Sequence, residues 1–275
     1  MTVGIVGLGL IGGSFARAIS EMTDHTVLAC DIKESSFLGA KLVGAVKGEL
    51  NKETLAECDY VIVSLYPDAA VQYIKENSAN FKKGAVVVDC CGVKRHVCDL
   101  VGENKKRDFI FIGGHPMAGT QQWGFEHSRA SLFKGGSMIL TPEDNTDIRV
   151  LGAAKAFFME LGFSDVVFTT AEEHDVRIAF TSQLPHVISN AYVKSPRAVD
   201  HHGFSAGSYR DLTRVSKLNV NMWTELFLEN ADNLADEIDL LIKNLGEYSK
   251  AVRAGDKKRL SELLTDGHES KKIAK

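Results

Sequence analysis

Over its first 169 residues the chain alternates short apolar runs with longer stretches whose apolar residues recur at helical spacing. The runs are VGIVG from Val3, TVLAC from Thr26, YVIVS from Tyr60, AVVVD from Ala85, FIFIG from Phe109, SMIL from Ser137 and DVVF from Asp165. Each is short, rich in Val and Ile, and apolar at successive positions, which is the pattern of a strand covered on both faces. Helical periodicity fills most of the intervals, for instance residues 14–22 and 68–77. Strand and helix in alternation predict an α/β architecture built on a parallel sheet.

The pattern changes after FTTAEEHD. Thr170 is suited to cap a helix whose first turn is acidic, and helical periodicity then continues without a convincing strand. Residues 171–192, 208–217, 220–253 and 257–264 are expected to be helical, with a break or kink at Pro185. The division predicted is an α/β domain over residues 1–169 and an all-α domain over 170–275.

Composition adds mainly exclusions. A net charge of −4 over 275 residues, without a long basic run, gives no footprint for nucleic acid. No apolar run approaches the ~20 residues of a membrane span. Met1 leads directly into a strand, so no signal peptide is expected. Cys30, Cys58, Cys90, Cys91 and Cys98 are odd in number and unsuited to a disulfide framework, and no Cys-x-x-Cys pair is present. Reduced thiols in a cytoplasmic protein, with no metal, are the expectation.

The sharpest local signal is VGIVGLGLIGGS. Gly7, Gly9 and Gly12 stand in G-x-G-x-x-G spacing directly after a strand and at the start of a helix. That context suits a tight turn, close approach of backbone to a pyrophosphate, and close helix–strand packing. Phosphates would rest on the N–H groups at the helix start, around Leu10 and Ile11. A second strand ends in Asp31, roughly twenty residues beyond Gly12, where an acid can bind ribose hydroxyls and repel a 2′-phosphate. These features predict a Rossmann-type domain that prefers NAD to NADP, although Lys33 is close by.

Ligands of open α/β sheets bind beyond the carboxyl ends of the strands. Three further strand ends therefore matter. VSLYPD brings Ser64 and Pro67 toward the cofactor, and DCCGVK places Asp89, Gly92 and Lys94 just past the next strand. FIGGHPMAG delivers His115, whose unperturbed pKa near neutrality suits a proton acceptor. In the helical part, His186 follows Pro185, and YRDLTR carries Arg210, Asp211 and Arg214. An arginine held by a nearby acid suits bidentate capture of a carboxylate. His201 and His202, in a Gly/Ser-rich loop, read as surface residues.

Taken in order, GLGLIGGS, DCCGVK, GGHPMAGT, SQLPH and YRDLTR resemble the prephenate dehydrogenase family, which includes the arogenate and cyclohexadienyl dehydrogenases of tyrosine biosynthesis. The resemblance spans nearly the whole chain. It implies a Rossmann domain followed by a helical domain that forms a homodimer, with the active site in the cleft between them. It implies NAD-dependent oxidative decarboxylation of prephenate to 4-hydroxyphenylpyruvate, or of arogenate to tyrosine. By the same resemblance His115 is the catalytic histidine, Arg214 binds the ring carboxylate, and His186 lies in the substrate pocket. Two positions depart from the family pattern. Gly92 stands where many members have a serine in D-x-x-S-x-K, and Gln183 stands where many have a histidine three residues before His186.

Two other readings can be weighed against this one. A β-hydroxyacid dehydrogenase pairs similar domains but relies on a lysine in the helical domain and lacks an H-P-M-A-G loop. A non-catalytic NAD-binding regulator would be consistent with Gly92, while His115 and Arg214 argue against it. The chain ends soon after LSELLTDGHESKKIAK, so an added regulatory domain is not expected.

Overall fold

The computed structural model describes residues 1–103, 107–120 and 122–273. Among them, β1 (Thr2–Val6), β2 (Thr26–Cys30), β3 (Gly48–Glu49), β4 (Tyr60–Val63), β5 (Val86–Asp89), β6 (Ile110–Pro116), β7 (Ser137–Pro142) and β8 (Asp165–Phe168) form one sheet in the order 3-2-1-4-5-6-7-8. Strand order reverses between β1 and β4, and such a switch point opens a crevice at the carboxyl ends of the strands. Helices α1 (Leu10–Met22), α2 (Glu34–Leu42), α3 (Lys52–Leu55), α4 (Pro67–Glu76), α5 (Arg95–Gly102) and α6 (Ile148–Glu160) accompany the sheet.

Because successive side chains point to opposite faces, β1, β2, β4, β5 and β6 feed two cores. β7 and β8 contribute to one only, and β8 buries just Val166, so the two-sided cover expected of its apolar run is not found there. Val3, Ile5, Ile62 and Val88 pack in one with Phe15 of α1 and Phe157 and Phe158 of α6. Val61, Val63, Val87 and Phe111 pack in the other with Val71 and Ile74 of α4 and Val97 and Val101 of α5. Every residue of β4 and β5 is buried. This is why these strands read as continuous apolar runs.

The sheet is not wholly parallel as the alternation suggested. β7 runs antiparallel to β6, with His115 opposite Ile139 and Gly114 opposite Leu140. A parallel return requires a long crossover, usually a helix. Among the described residues, the segment between these two strands contains only the short 3-10 turns Phe125–His127 and Ala130–Phe133, and the chain folds back. β3, two residues long, carried no apolar run and was not foreseen.

Beyond β8 come α7 (Ala171–Ile178), a π turn (Ala179–Gln183), α8 (Leu184–Tyr192), α9 (Gly207–Thr213), α10 (Val220–Leu228), α11 (Ala231–Ala254) and α12 (Lys257–Ile273). Thr170 caps α7, its hydroxyl accepting from the Glu173 N–H at 3.2 Å. The interruption expected at Pro185 is the π turn just before it. The turn leaves proline, which has no N–H to donate, in the first turn of α8. The continuous helix expected over 220–253 is in fact α10 and α11, parted at Glu229 and Asn230. Neither is a helix breaker, so periodicity alone runs straight through the corner. α12 extends nine residues past its expected end at Leu264.

Phe158 is fully buried and lies edge-on to Phe15, Phe157 and Phe163, with ring centroids 6.1, 5.3 and 5.9 Å away. Phe158→Ala is expected to cost about 3–5 kcal/mol in urea unfolding. A loss below about 1 kcal/mol would show that this aromatic cluster is not close-packed.

Candidate active site

The glycine-rich turn follows β1 at the switch point. Gly7 has φ +86°, and a Cβ there would lie 2.6 Å from the Ser64 carbonyl oxygen. A Cβ on Gly12 would lie 1.9 Å from the Gly7 carbonyl oxygen, so α1 can start this close to β1 only through glycine. At Gly9 an added Cβ would meet nothing within 4 Å. The N-terminus of α1 has no side-chain cap and no acid in its first turn. Its N–H groups around Leu10 and Ile11, with the partial positive charge of the helix end, suit an anionic phosphate. Asp31, just past β2, accepts from the Leu8 N–H at 2.6 Å and the Lys33 N–H at 2.7 Å, which places its carboxylate beside this turn. Ser64 packs beneath Gly7 and Gly12, and Pro67 is buried in the first turn of α4. The residues present fit a dinucleotide.

His115 occupies an overhang. The pairing of β6 with β5 ends at Ile112, so Gly113 to Pro116 extend past the neighbouring strand and pair only with β7. Gly114 is held on both backbone groups. Its N–H donates to Asp89 Oδ1 at 3.1 Å, and its carbonyl accepts from Lys94 Nζ at 2.5 Å. Lys94 is fully buried and also donates to Asp89. Burial opposes the lysine charge, but the Asp89 carboxylate outweighs it and holds the ammonium above its usual pKa. Removing one partner of such a buried pair typically costs about 3–5 kcal/mol, so the strand end is firmly set. A Cβ on Gly114 would lie 2.4 Å from the Asp89 carbonyl oxygen.

The imidazole itself is oriented from the helical domain. His115 Nδ1 lies 2.9 Å from His174 Nε2, and His174 Nδ1 lies 2.7 Å from Asp175 Oδ1. Asp175 is wholly buried and accepts two backbone N–H groups, from Lys94 at 2.8 Å and Arg95 at 2.9 Å. Burial raises its pKa, but the bond from His174 and these two N–H groups outweigh it and keep the carboxyl below the ordinary range. An ionised carboxylate only accepts, so His174 must carry its proton on Nδ1 and present a bare Nε2. His115 then donates through Nδ1 and exposes the lone pair of Nε2. Burial, followed by the charges of His174 and Lys94, lowers the His115 pKa well below that of free imidazole. The arrangement is a neutral base of one defined tautomer.

Gly92 lies at this lone pair. A Cβ on it would sit 4.0 Å from His115 Nε2 and 3.3 Å from Leu226 Cδ2 of α10. The His115 ring is oriented by His174 on the opposite nitrogen. One turn before Leu226, Trp223 stacks on His186 with centroids 3.9 Å apart. His186 donates through Nδ1 to the Ser182 carbonyl at 2.8 Å, and burial keeps its pKa low, with the Arg214 charge a smaller contribution. Arg214 is exposed at the end of α9 and near enough to bear on His186. Leu226 and Trp223, one turn apart on α10, thus lie beside Gly92 and His186 respectively.

Gln183 does not fit the substrate contact that its position implied. Its side chain is buried, with Nε2 donating to the Leu226 carbonyl and Oε1 accepting from Asn230 Nδ2, both at 2.8 Å. It braces the corner between α10 and α11. In the sequence His174 and Asp175 carry no signal beyond an acidic helix start. An adjacent His–Asp pair is too common to single out before the helix is seen to dock on Lys94 and Arg95.

A switch-point crevice with a glycine-rich turn, walled by a neutral histidine on one side and a helical domain on the other, defines a two-domain nucleotide-dependent enzyme. Residues 15–167 match the prephenate dehydrogenase nucleotide-binding domain, and residues 170–266 match the prephenate dehydrogenase dimerization domain. The chain belongs to the prephenate dehydrogenase family. It is 28% identical to the cyclohexadienyl dehydrogenase of Zymomonas mobilis subsp. mobilis, over 98% of this chain and 94% of that one. It is 26% identical to the prephenate dehydrogenase of Bacillus subtilis, over 94% and 72%. A solved prephenate dehydrogenase from Aquifex aeolicus, in complex with hydroxyphenyl propionate and NAD+, superposes with a TM-score of 0.86 at 29% identity, covering 100% of this chain and 98% of that one.

Imidazole nitrogen-15 NMR of the unliganded protein tests the base. His115 is expected to show the Nδ1–H tautomer and to stay neutral as pH falls through about 6.5, where an unperturbed histidine takes up its proton. A His115 that titrates at or above that value would contradict the burial argument.

Proposed function

We propose that the protein is an NAD-dependent prephenate dehydrogenase whose proton acceptor is Nε2 of His115. The observation that carries this reading is the hydrogen-bonded chain Asp175–His174–His115, which ends in a bare lone pair at the overhang of β6. Bound NAD+ supplies the hydride acceptor for C4 of the substrate ring. The diphosphate is assigned to the start of α1 at Gly9, Leu10, Ile11 and Gly12, and the ribose hydroxyls to Asp31, with Gly7, Ser64 and Pro67 shaping the crevice.

His115 takes the proton of the C4 hydroxyl on Nε2. Positive charge on its ring is met through Nδ1 by His174 and, behind it, Asp175. Arg214 holds the ring carboxylate until it leaves as CO2, and His186, stacked on Trp223, lines the pocket for the side chain. Gly92 and Leu226 leave an apolar surface against the base. Aromatisation provides the driving force, so orientation and one proton acceptor are the main demands on the protein. The hydroxyphenyl propionate of the Aquifex complex is a phenol bearing a three-carbon acid, the skeleton of 4-hydroxyphenylpyruvate. Likeness to a cyclohexadienyl dehydrogenase favours arogenate as the second substrate to test.

The division of labour falls at residues 169 and 170, with the cofactor in 1–169 and the dimer contact in 170–275. Leu240, Ile242, Leu245 and Val252 of α11 are each more than half exposed, as the buried face of a homodimer would be in a lone chain. All five cysteines are free thiols, and burial pushes those of Cys58, Cys90 and Cys98 up to about 12, in keeping with a cytoplasmic enzyme. Among the described residues no helix is long and apolar enough to cross a membrane.

The assay is NADH formation with prephenate and with arogenate, each with NAD+ and NADP+. NAD+-dependent turnover of prephenate is expected, and no turnover of either substrate would overturn the reading. His115→Asn should lower kcat by about 10²–10⁴-fold while substrate still binds, which is the usual worth of a general base. Arg214→Ala should instead act mainly through KM, costing about 2–5 kcal/mol of binding if a desolvated carboxylate loses its partner. An effect of Arg214→Ala confined to kcat would reassign that residue.

A further inference from the structure

Outside this site, the two domains meet at a second cluster. Asp68 lies in the first turn of α4, His96 in the first turn of α5, and Glu229 at the carboxyl end of α10. His96 Nε2 is 2.8 Å from Asp68 Oδ1 and 3.4 Å from Glu229 Oε1. One ligand atom from each of the three residues falls within a span of 4.8 Å. The Glu229 side chain is only 9% exposed, and neither of its oxygens has a hydrogen-bond partner among the described residues. A buried carboxylate without a partner is costly, and this one points at an imidazole. Glu225, one turn earlier on α10, accepts the Asp68 backbone N–H at 2.9 Å and so fixes Asp68 from behind.

We propose that Asp68, His96 and Glu229 bind one divalent cation of the zinc class, which pins helices α4 and α5 of the Rossmann domain to α10 of the helical domain. The ligand set is one imidazole and two carboxylates. A tetrahedral zinc with bonds near 2.0–2.1 Å sets neighbouring ligand atoms about 3.3 Å apart. The His96–Glu229 distance matches that spacing already, and the exposed Asp68 side chain can move to complete it. Water would complete the fourth position. The imidazole favours Zn2+, Co2+ or Ni2+ over Mg2+ and Ca2+, which take oxygen ligands. Because α10 also carries Leu226 and Trp223, a cation here would steady the wall that faces His115 and His186. The cluster shares no ligand with the catalytic chain, so it stands or falls separately from the proposed reaction. No sequence spacing announced it, since its three ligands come from helices far apart in the chain.

The test uses the full-length protein, stripped with a chelator and dialysed, then titrated with ZnCl2 against a chromophoric competitor. One equivalent is expected to bind in the micromolar range or tighter, with a rise in Tm. His96→Asn and Glu229→Gln should each weaken binding by roughly tenfold or more and remove the rise in Tm. X-ray absorption of the zinc-loaded wild type, which needs no variant to fold, should show nitrogen and oxygen neighbours without sulfur. Millimolar or absent binding, unchanged affinity in both variants, or sulfur in the coordination shell would each overturn the proposal. The cluster would then be a hydrogen bond between His96 and Asp68 within the Rossmann domain and no more.

Discussion

One buried carboxylate carries much of this molecule. Asp175 has no exposed surface, yet it must be ionised to accept four hydrogen bonds at its two oxygens: from His174, from the backbone of Lys94 and Arg95, and from the Arg95 side chain at 3.4 Å. Such a charge is tolerable in a protein interior only when its acceptor capacity is met. Three of those donors belong to the Rossmann domain and one to the helical domain. Satisfying Asp175 therefore fixes how the two domains dock, and the docking in turn sets the tautomer of the histidine pair.

The same economy extends outward from that point. Asn230, at the corner between α10 and α11, donates to the Asp175 carbonyl at 2.9 Å and accepts from Arg95 at 3.0 Å. Arg95 reaches Asp232 as well. Gln183 closes the network by tying Asn230 to the Leu226 carbonyl. These bonds hold α10 where Leu226 covers Gly92 and Trp223 meets His186. The residues that touch substrate in the proposed reaction are thus placed by polar groups that never reach the cleft. Fully satisfied buried networks of this kind rigidify a site, because breaking any member leaves another unpaired.

Gly92 leaves room in front of the imidazole that this network orients. A Cβ there would lie 4.0 Å from His115 Nε2, the nitrogen that takes the proton in the proposed reaction. Orientation through Nδ1 leaves that lone pair unencumbered. The ring is steered from behind, and the space in front is lined by the Leu226 methyls.

Local chemistry in the sequence was enough to determine the α/β character, the central strands that carry two-sided cores, the glycine-rich turn with Asp31 beside it, and the start of the helical region at Thr170. Each of these depends on neighbours within a few residues or on a repeat of two or 3.6, and both survive in a linear string. His115, expected just past its strand, lies inside β6 where that strand outruns β5. The antiparallel turn of β7, the corner at Glu229 and Asn230, the withdrawal of Gln183 from the cleft, and the joining of His174 and Asp175 to His115 were decided only in three dimensions. Residues 115 and 174 are 59 positions apart, and residues 175 and 230 are 55 apart. Nothing in either segment marks its partner. Those contacts exist because buried donors and acceptors must find one another once the two cores have formed, and which ones meet is settled by packing.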